Sequence, residues 1–229
     1  MRSGRKLRRG VLFDLDGTLI KTTFPVSEAK LAVIKKLQEL GIDTKDVTPM
    51  STMMDIQGLT REGAQKSGAT SHHEAERQVG EVLDGFDIAS LSDARLQEDA
   101  KATLDSLVDA GFKLGIVTNS GRKGVEMALR RLKLAGYFAT VVTRNDVRSL
   151  KPNPEGILKA AHALGCRSAD IAFVGDSWAD IRAANEAKVE AVALVGGLSL
   201  RERLESEHPD AMVGSLRELL RVLTSQEST

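Results

Sequence analysis

The stretch VLFDLDGTLI, residues 11–20, decides how the whole sequence is interpreted. It opens with three apolar residues, as a buried strand of a parallel sheet does, and Asp14 and Asp16 follow where that strand would end. Ligands of open α/β sheets bind at the carboxyl ends of the strands. Two adjacent carboxylates repel each other and are costly to bury, so they require a cation, a shared proton or a chemical task. A polar turn built on Asp16 and Gly17 is the alternative that these residues leave open.

Composition and charge restrict the class of protein. The chain has 229 residues, of which 41% are hydrophobic and 28% charged, as in a globular protein with one large domain or a core carrying a small insertion. Its formal net charge is zero, so we expect neither nucleic acid nor membrane as a partner. The single cysteine, Cys166, excludes an intramolecular disulfide, and the basic residues before Asp14 lack the apolar segment of a secretory signal. We therefore expect a cytoplasmic protein, whose oligomeric state stays open and is compatible with a monomer.

The second half of the sequence alternates short apolar strands with amphipathic helices. Strands are predicted over residues 113–117, 139–143, 171–174, 191–195 and 211–213, and helices over 122–134, 154–164, 178–188, 200–205 and 216–223. This alternation predicts the α/β class, with a doubly wound, Rossmann-like parallel sheet that is covered by helices on both faces.

The region between the first strand and this alternating part is predicted to be helical. After a linker at residues 21–25, a helix runs from Ser27 to Leu40, with Leu31 and Leu37 at helical spacing. The helical pattern continues to residue 83, followed by a turn over 84–87 and a helix from about Ser92 to Gly111. The predicted domains are a catalytic core over residues 1–21 and 92–229 and a small all-helical cap inserted over residues 22–91.

Three later strands also end in polar residues. Thr118 and Asn119 follow the strand 113–117, where backbone amides and a helix dipole can hold phosphate oxygens, although Ser120 as an ordinary helix N-cap is the alternative. Lys151 precedes a proline at a strand-to-helix junction; it is either solvated or a charge clamp for the acidic pair and a phosphate. Asp176 and Asp180 lie one helical turn apart after the strand 171–174, where Asp176 could also be only an N-cap.

Together these motifs resemble those of the haloacid-dehalogenase-like superfamily, and the resemblance extends from Val11 to about Val195. DLDGT at residues 14–18 resembles the first motif, Thr118 the second, Lys151 the third, and GDSWAD at residues 175–180 the fourth. The helical insertion resembles the alpha-helical cap of the subgroup that contains phosphoglycolate phosphatase and beta-phosphoglucomutase.

The resemblance implies an enzyme, a Mg²⁺-dependent phosphatase that hydrolyses a small phosphorylated metabolite such as phosphoglycolate or a sugar phosphate. Asp14 would be the nucleophile that becomes an aspartyl phosphate, and Asp16 the general acid and base. The phosphoryl group would be bound by Thr118, Asn119 and Lys151, with Thr118 and Lys151 also serving catalysis. Mg²⁺ would be held by Asp14, by Asp176 and by the backbone carbonyl of Asp16, with Asp180 supporting the metal site.

Several other functions share part of this pattern. A phosphomutase of the same superfamily shares every motif and stays open. A dehalogenase of the superfamily needs neither Mg²⁺ nor an acid at position 16, so Asp16 argues against it. A phospho-acceptor signalling domain would carry its acceptor aspartate on a later strand and no cap. A nucleotide-binding dehydrogenase would require GxGxxG after the first strand, and the sequence has DLDGT there.

The segment IQGLTRE, residues 56–62, resembles the substrate loop in the cap of the beta-phosphoglucomutase-like subgroup. That resemblance implies that Arg61 faces the non-reacting end of the substrate, where a guanidinium would favour a second anionic group. A solvated surface arginine is the alternative.

Substitution of Arg61 separates these two interpretations. If Arg61 binds a remote anion, Arg61→Ala lowers kcat/KM for a doubly anionic phosphate ester and has little effect on an aryl phosphate with a neutral tail. The measurement is kcat/KM for both substrates in wild type and variant. Equal losses, or none, would return Arg61 to the surface.

Overall fold

The computed structural model describes residues 9–48, 51, 55, 56, 58–60 and 72–224. Its strands are β1 (Gly10–Phe13), β2 (Ile20–Lys21), β3 (Arg95–Leu96), β4 (Lys113–Val117), β5 (Phe138–Val142), β6 (Ile171–Gly175), β7 (Glu190–Leu194) and β8 (Ala211–Val213). Its helices are α1 (Val26–Glu39), α2 (His72–Ser92), α3 (Ala100–Asp109), α4 (Arg122–Arg131), α5 (Glu155–Leu164), α6 (Trp178–Ala187), α7 (Arg201–Glu205) and α8 (Leu216–Thr224).

A six-stranded parallel sheet in the order β5-β4-β1-β6-β7-β8 forms the centre of the fold. The chain builds one side of β1 with β4 and β5 and then crosses to the other side with β6, so the strand order reverses at β1. In β1, Phe13 lies opposite Ile116 of β4 and Val174 of β6, so these three strands end at nearly the same level. Residues that follow them therefore share one edge of the sheet at the reversal point, where ligands of such sheets bind.

Both faces of the sheet are covered by helices. Phe13 belongs to an apolar cluster with residues of α3, α4 and α8, whereas its neighbour Leu12 belongs to a second cluster with residues of α5 and α6. Successive side chains of a strand point to opposite faces, so a strand buried on both faces is apolar throughout. This explains why residues 11–13 are all hydrophobic, and it confirms the predicted doubly wound α/β fold.

The helices α1 and α2 form an apolar cluster of their own. Its members are Ala29, Val33, Leu37, Ile42, Ile56, Ala75, Val79 and Leu83. The described part of the region between β1 and α3 is therefore largely helical, as predicted, and the proposed cap bounds at residues 22 and 91 stay a prediction. The segments 49–50, 52–54, 57 and 61–71, which include Arg61, lie outside the described residues. No helix within the described residues combines the length and apolarity needed to span a membrane.

Two predictions about this region are wrong. Residues 84–87 are not a turn but part of the 21-residue helix α2, where Phe86 packs against the cluster of α1 and α2. The helix predicted from Ser92 begins only at Ala100, because Arg95–Leu96 form β3. That strand pairs antiparallel with β2, which occupies the start of the predicted linker.

The helix α1 offers a matched test of its buried face. Leu37 is fully buried, whereas Leu31, at the same predicted spacing, is 66% exposed. We expect Leu37→Ala to lower the free energy of unfolding by about 2–5 kcal/mol, because it leaves a cavity. Leu31→Ala should stay within about 0.5 kcal/mol of wild type. Urea unfolding of both variants measures this, and equal losses would contradict the burial of this face.

Candidate active site

The structure brings the predicted core-motif residues together at one edge of the sheet. Asp14 follows β1, Thr118 follows β4 and Asp176 follows β6, and each of these side chains is buried. Lys151 enters from the loop between β5 and α5, and Asp180 enters from the first turn of α6. Their proximity follows from the common level at which the parallel strands end.

The ammonium group of Lys151 lies between two carboxylates. Its Nζ donates to Asp14 Oδ1 at 2.6 Å, lies 2.6 Å from Asp180 Oδ1 and donates to the Val117 carbonyl at 3.0 Å. Burial alone would lower the pKa of Lys151, but the charges of Asp14 and Asp180 outweigh it and raise that pKa. Lys151 is therefore held as a cation directly beside the carboxylate of Asp14.

Asp176 is enclosed on both sides by backbone. Its Oδ1 accepts the Thr18 hydroxyl at 2.8 Å, and its Oδ2 accepts the Leu198 amide at 2.6 Å. A Cβ added at Gly17 or Gly197 would lie 2.3 or 2.1 Å from Asp176 Oδ2, so neither position has room for a side chain. Gly17 also has a φ of +87°, which favours glycine. The DGT turn after β1 is therefore shaped around Asp176.

Excess negative charge characterises the site. Asp14, Asp176 and Asp180 can each bring a carboxylate oxygen within 4.8 Å of the others. Burial raises the pKa of both Asp14 and Asp176, and the neighbouring carboxylates raise it further. Within the described residues, Asp16 adds a fourth carboxylate, against the one ammonium of Lys151. Hard oxygen donors with surplus negative charge fit a divalent cation such as Mg²⁺.

The carboxylate of Asp180 has partners on both of its oxygens. Asp180 Oδ2 accepts both the amide of Ser177, at 3.0 Å, and its hydroxyl, at 2.6 Å, while Oδ1 contacts Lys151. Asp180 is thus held by Ser177 and paired with the Lys151 ammonium, as suits a residue that supports the site. Both oxygens of Asp176 also accept hydrogen bonds, and Asp14, Asp176 and Asp180 all fit the coordination of one cation.

Asp16 lies beside this cluster and has its own hydroxyl partners. Ser120 donates to Asp16 Oδ2 at 2.7 Å, and Thr22 donates to Oδ1 at 3.2 Å. Burial raises the pKa of Asp16, and both hydroxyls oppose that rise. A carboxyl group with a raised pKa is suited to donating and accepting a proton.

The loop after β4 contains contacts that sequence spacing did not reveal. The side chain of Asn119 makes two hydrogen bonds to the Lys151 backbone. Asn119 Nδ2 donates to the Lys151 carbonyl at 3.2 Å, and the Lys151 amide donates to Asn119 Oδ1 at 3.0 Å. Its carboxamide therefore fixes Lys151, which is a use other than the predicted phosphate contact. Gly121 occupies the N-cap position of α4, so Ser120 is not that cap. In the sequence, the contact between Ser120 and Asp16 is indicated only by the polar character of Ser120 and its place beside the Thr118 motif.

Comparison with known proteins identifies the family of this chain. The profile of the family described as haloacid dehalogenase-like hydrolase matches residues 11–194. The chain belongs to that family. The pyrophosphatase PpaX of Bacillus cereus (strain AH820) is 31% identical over 216 residues, which cover 93% of this chain and 95% of that relative.

Solved structures of other proteins share the fold. A hydrolase from Pseudomonas syringae superposes with a TM-score of 0.68 at 23% identity, covering 97% of this chain and 100% of that one. A predicted phosphoglycolate phosphatase from Haemophilus somnus 129pt superposes with a TM-score of 0.65 at 23% identity, covering 94% and 98%. At this identity the likeness concerns the fold alone.

The charge excess predicts a cation-dependent stability. Mg²⁺ at 100 times its Kd would stabilise the folded chain by about 2.7 kcal/mol, so the thermal midpoint should rise with added Mg²⁺. Asp176→Asn should remove most of that rise. The control Asp170→Asn should keep it, because Asp170 pairs with Arg167 outside the site. Thermal unfolding with and without Mg²⁺ measures this, and an undiminished rise in Asp176→Asn would exclude Asp176 as a ligand.

Proposed function

We propose that this chain is a Mg²⁺-dependent phosphatase that hydrolyses a small phosphate ester through an aspartyl phosphate on Asp14. The observation that carries the proposal is the contact between the Lys151 ammonium and Asp14 Oδ1 at 2.6 Å, at the carboxyl edge of the sheet. A carboxylate held beside a fixed cation can accept a phosphoryl group, because the charge of the incoming oxygens is offset where the new bond forms.

The proposed reaction consists of two successive displacements at phosphorus. In the first, a carboxylate oxygen of Asp14 attacks phosphorus, the bond to the ester oxygen breaks, and Asp16 donates its proton to the leaving alcohol. In the second, Asp16 takes a proton from water, the water oxygen attacks phosphorus, and the bond to Asp14 breaks to release phosphate. The raised pKa of Asp16 supports the first role, because a protonated acid must be present when the alcohol leaves.

The remaining residues would bind and orient the phosphoryl group. Lys151 and the Thr118 hydroxyl would contact its oxygens, and Asp180 would keep Lys151 in place. Asp14, Asp176 and the backbone carbonyl of Asp16 would hold Mg²⁺, which when bound neutralises charge on the phosphoryl oxygens. This assignment keeps the predicted roles of these residues and gives Asn119 the additional task of fixing Lys151.

Two classes of substrate are candidates for this site. A phosphoglycolate- or sugar-phosphate-like monoester is the first, with the helical region over residues 22–91 as a cap that selects it. Inorganic pyrophosphate is the second, because the relative at 31% identity is named a pyrophosphatase. A screen of phosphate esters and pyrophosphate, with and without Mg²⁺, distinguishes them by phosphate release. Conversion of a sugar phosphate into its isomer without phosphate release would indicate a phosphomutase instead.

Substitution of the nucleophile tests the covalent step. Asp14→Asn retains the size of the side chain but lacks the anionic oxygen that attacks phosphorus, so we expect loss of turnover and of phosphoenzyme. The measurements are phosphate release and acid-stable incorporation of labelled phosphate, with circular dichroism to establish folding. Asp170→Asn serves as the control with normal turnover. Substantial Mg²⁺-dependent turnover by pure Asp14→Asn would refute the assignment.

A further inference from the structure

A buried ion cluster joins helix α2 to the catalytic core. Arg144, in the short turn after β5, donates from Nη1 to Asp87 Oδ2 at 2.7 Å and from Nη2 to Asp84 Oδ1 at 2.7 Å. The exposed fractions of the three side chains are 10% for Arg144, 3% for Asp87 and 14% for Asp84. Both aspartates belong to α2, which packs against α1 and, through Leu91, against the core cluster that contains Phe13. The cluster therefore connects two parts of the chain across a buried contact.

The same cluster reaches the loop that carries Thr118. Arg144 Nη1 also donates to the Asn119 carbonyl at 3.3 Å, and the Arg144 amide donates to the Ser120 carbonyl at 3.1 Å. Asp87 Oδ2 accepts the Gly121 amide at 2.8 Å. Three successive residues of the loop are thus held by Asp87 and Arg144.

From this loop the contacts continue to two residues with proposed catalytic roles. The Asn119 side chain holds the Lys151 backbone through two hydrogen bonds, and the Ser120 hydroxyl donates to Asp16. Asp87 on helix α2 is therefore three residue contacts from Lys151, by way of Arg144 and Asn119. It is also three contacts from Asp16 when the path runs through Arg144 and Ser120.

The start of α4 is shaped to admit the cluster. A Cβ added at Gly121 would lie 2.3 Å from Asp84 Oδ1 and 2.6 Å from Arg144 Nη2. A Cβ added at Gly124 would lie 2.9 Å from a methyl of Leu91 and 3.2 Å from the backbone of Asp87. The two glycines let α2 approach the loop closely enough for Asp87 to accept the Gly121 amide.

Stability alone explains this arrangement poorly. Buried ion pairs are often no more stabilising than apolar side chains of similar size. Among the described residues, Arg144 Nε is also buried without an acceptor. The contacts of the cluster go instead to backbone groups of the loop, whose positions decide where Thr118 and Lys151 lie.

We propose that Asp87 and Arg144 are positioning residues for the site, through which helix α2 fixes the loop at residues 118–121 and, through Asn119, Lys151. The proposal rests on the proposed phosphatase function. Its consequence is that the helical region contributes to the rate of the reaction as well as to the choice of substrate. A misplacement of about 1 Å in a reacting group can cost roughly 100-fold in rate.

Two conservative variants test the proposal. Asp87→Asn keeps an acceptor for the Gly121 amide but loses the charge that orients Arg144, and Arg144→Lys keeps a charge but cannot bridge both aspartates and Asn119. We expect each to lower kcat for an aryl phosphate by about 10-fold or more, with a smaller change in KM. The double variant should lose little beyond the worse single variant, because both act through one network.

A nearby pair supplies the matched control. Arg122, at the start of α4, pairs with Asp146, and in the part of the chain that the structure describes its side chain makes no hydrogen bond or ion pair with residues 118–121 or Lys151. Arg122→Lys should keep kcat within about twofold of wild type. Folded Asp87→Asn and Arg144→Lys with unchanged kcat, or an equal loss in Arg122→Lys, would overturn the proposal.

Amide hydrogen exchange gives a readout that needs no activity. Residues 118–121 should exchange faster in Asp87→Asn and Arg144→Lys than in wild type or Arg122→Lys. If the wild type hydrolyses neither a phosphate ester nor pyrophosphate, the proposed function fails, and this exchange alone decides the positioning role. Unchanged exchange in both variants would overturn that role, whatever the activity.

Discussion

The contact of one ammonium with buried carboxylates is the constraint on which this structure depends. Lys151 and Asp14 are 137 residues apart in the chain and 2.6 Å apart in the fold. Only a sheet in which distant strands end at one level can bring them together and keep them there. The parallel register of β1 with β4 and β6 supplies that level, and the crossing of the chain at β1 leaves the edge open to a ligand.

Burial makes these charges effective and also makes them costly. In a low-dielectric site an ion pair is stronger than in water, but each unpaired polar group costs more. Hydrogen-bond donors around the site offset the cost of burying these carboxylates. The Leu198 amide and the Thr18 hydroxyl donate to Asp176. The Ser177 hydroxyl donates to Asp180, and the Ser120 hydroxyl donates to Asp16. A negative excess nevertheless remains, and it is this excess that makes a divalent cation fit the site.

The sequence predicts the sheet and the core of the site for one physical reason. Asp14, Thr118 and Asp176 each follow a central strand that is buried on both faces, so an apolar run marks the strand and the first polar residue marks its end. The partners of those residues could not be predicted in the same way. Asn119 contacts the Lys151 backbone across 32 residues, and no local spacing encodes that pairing. The strands β2 and β3 are two residues each, too short to show a period.

The wrong turn over residues 84–87 has an instructive cause. Gly85 has open space where a side chain would lie, so packing does not require glycine there, and glycine inside a helix costs about 1 kcal/mol relative to alanine. Local preference therefore favours a break. The helix continues because Leu83 and Phe86 pack toward α1 while Asp84 and Asp87 pair with Arg144 on an adjacent face. Tertiary contacts on two faces outweigh one unfavourable residue, and the acidic side chains that resemble a turn are those that join α2 to the catalytic loop.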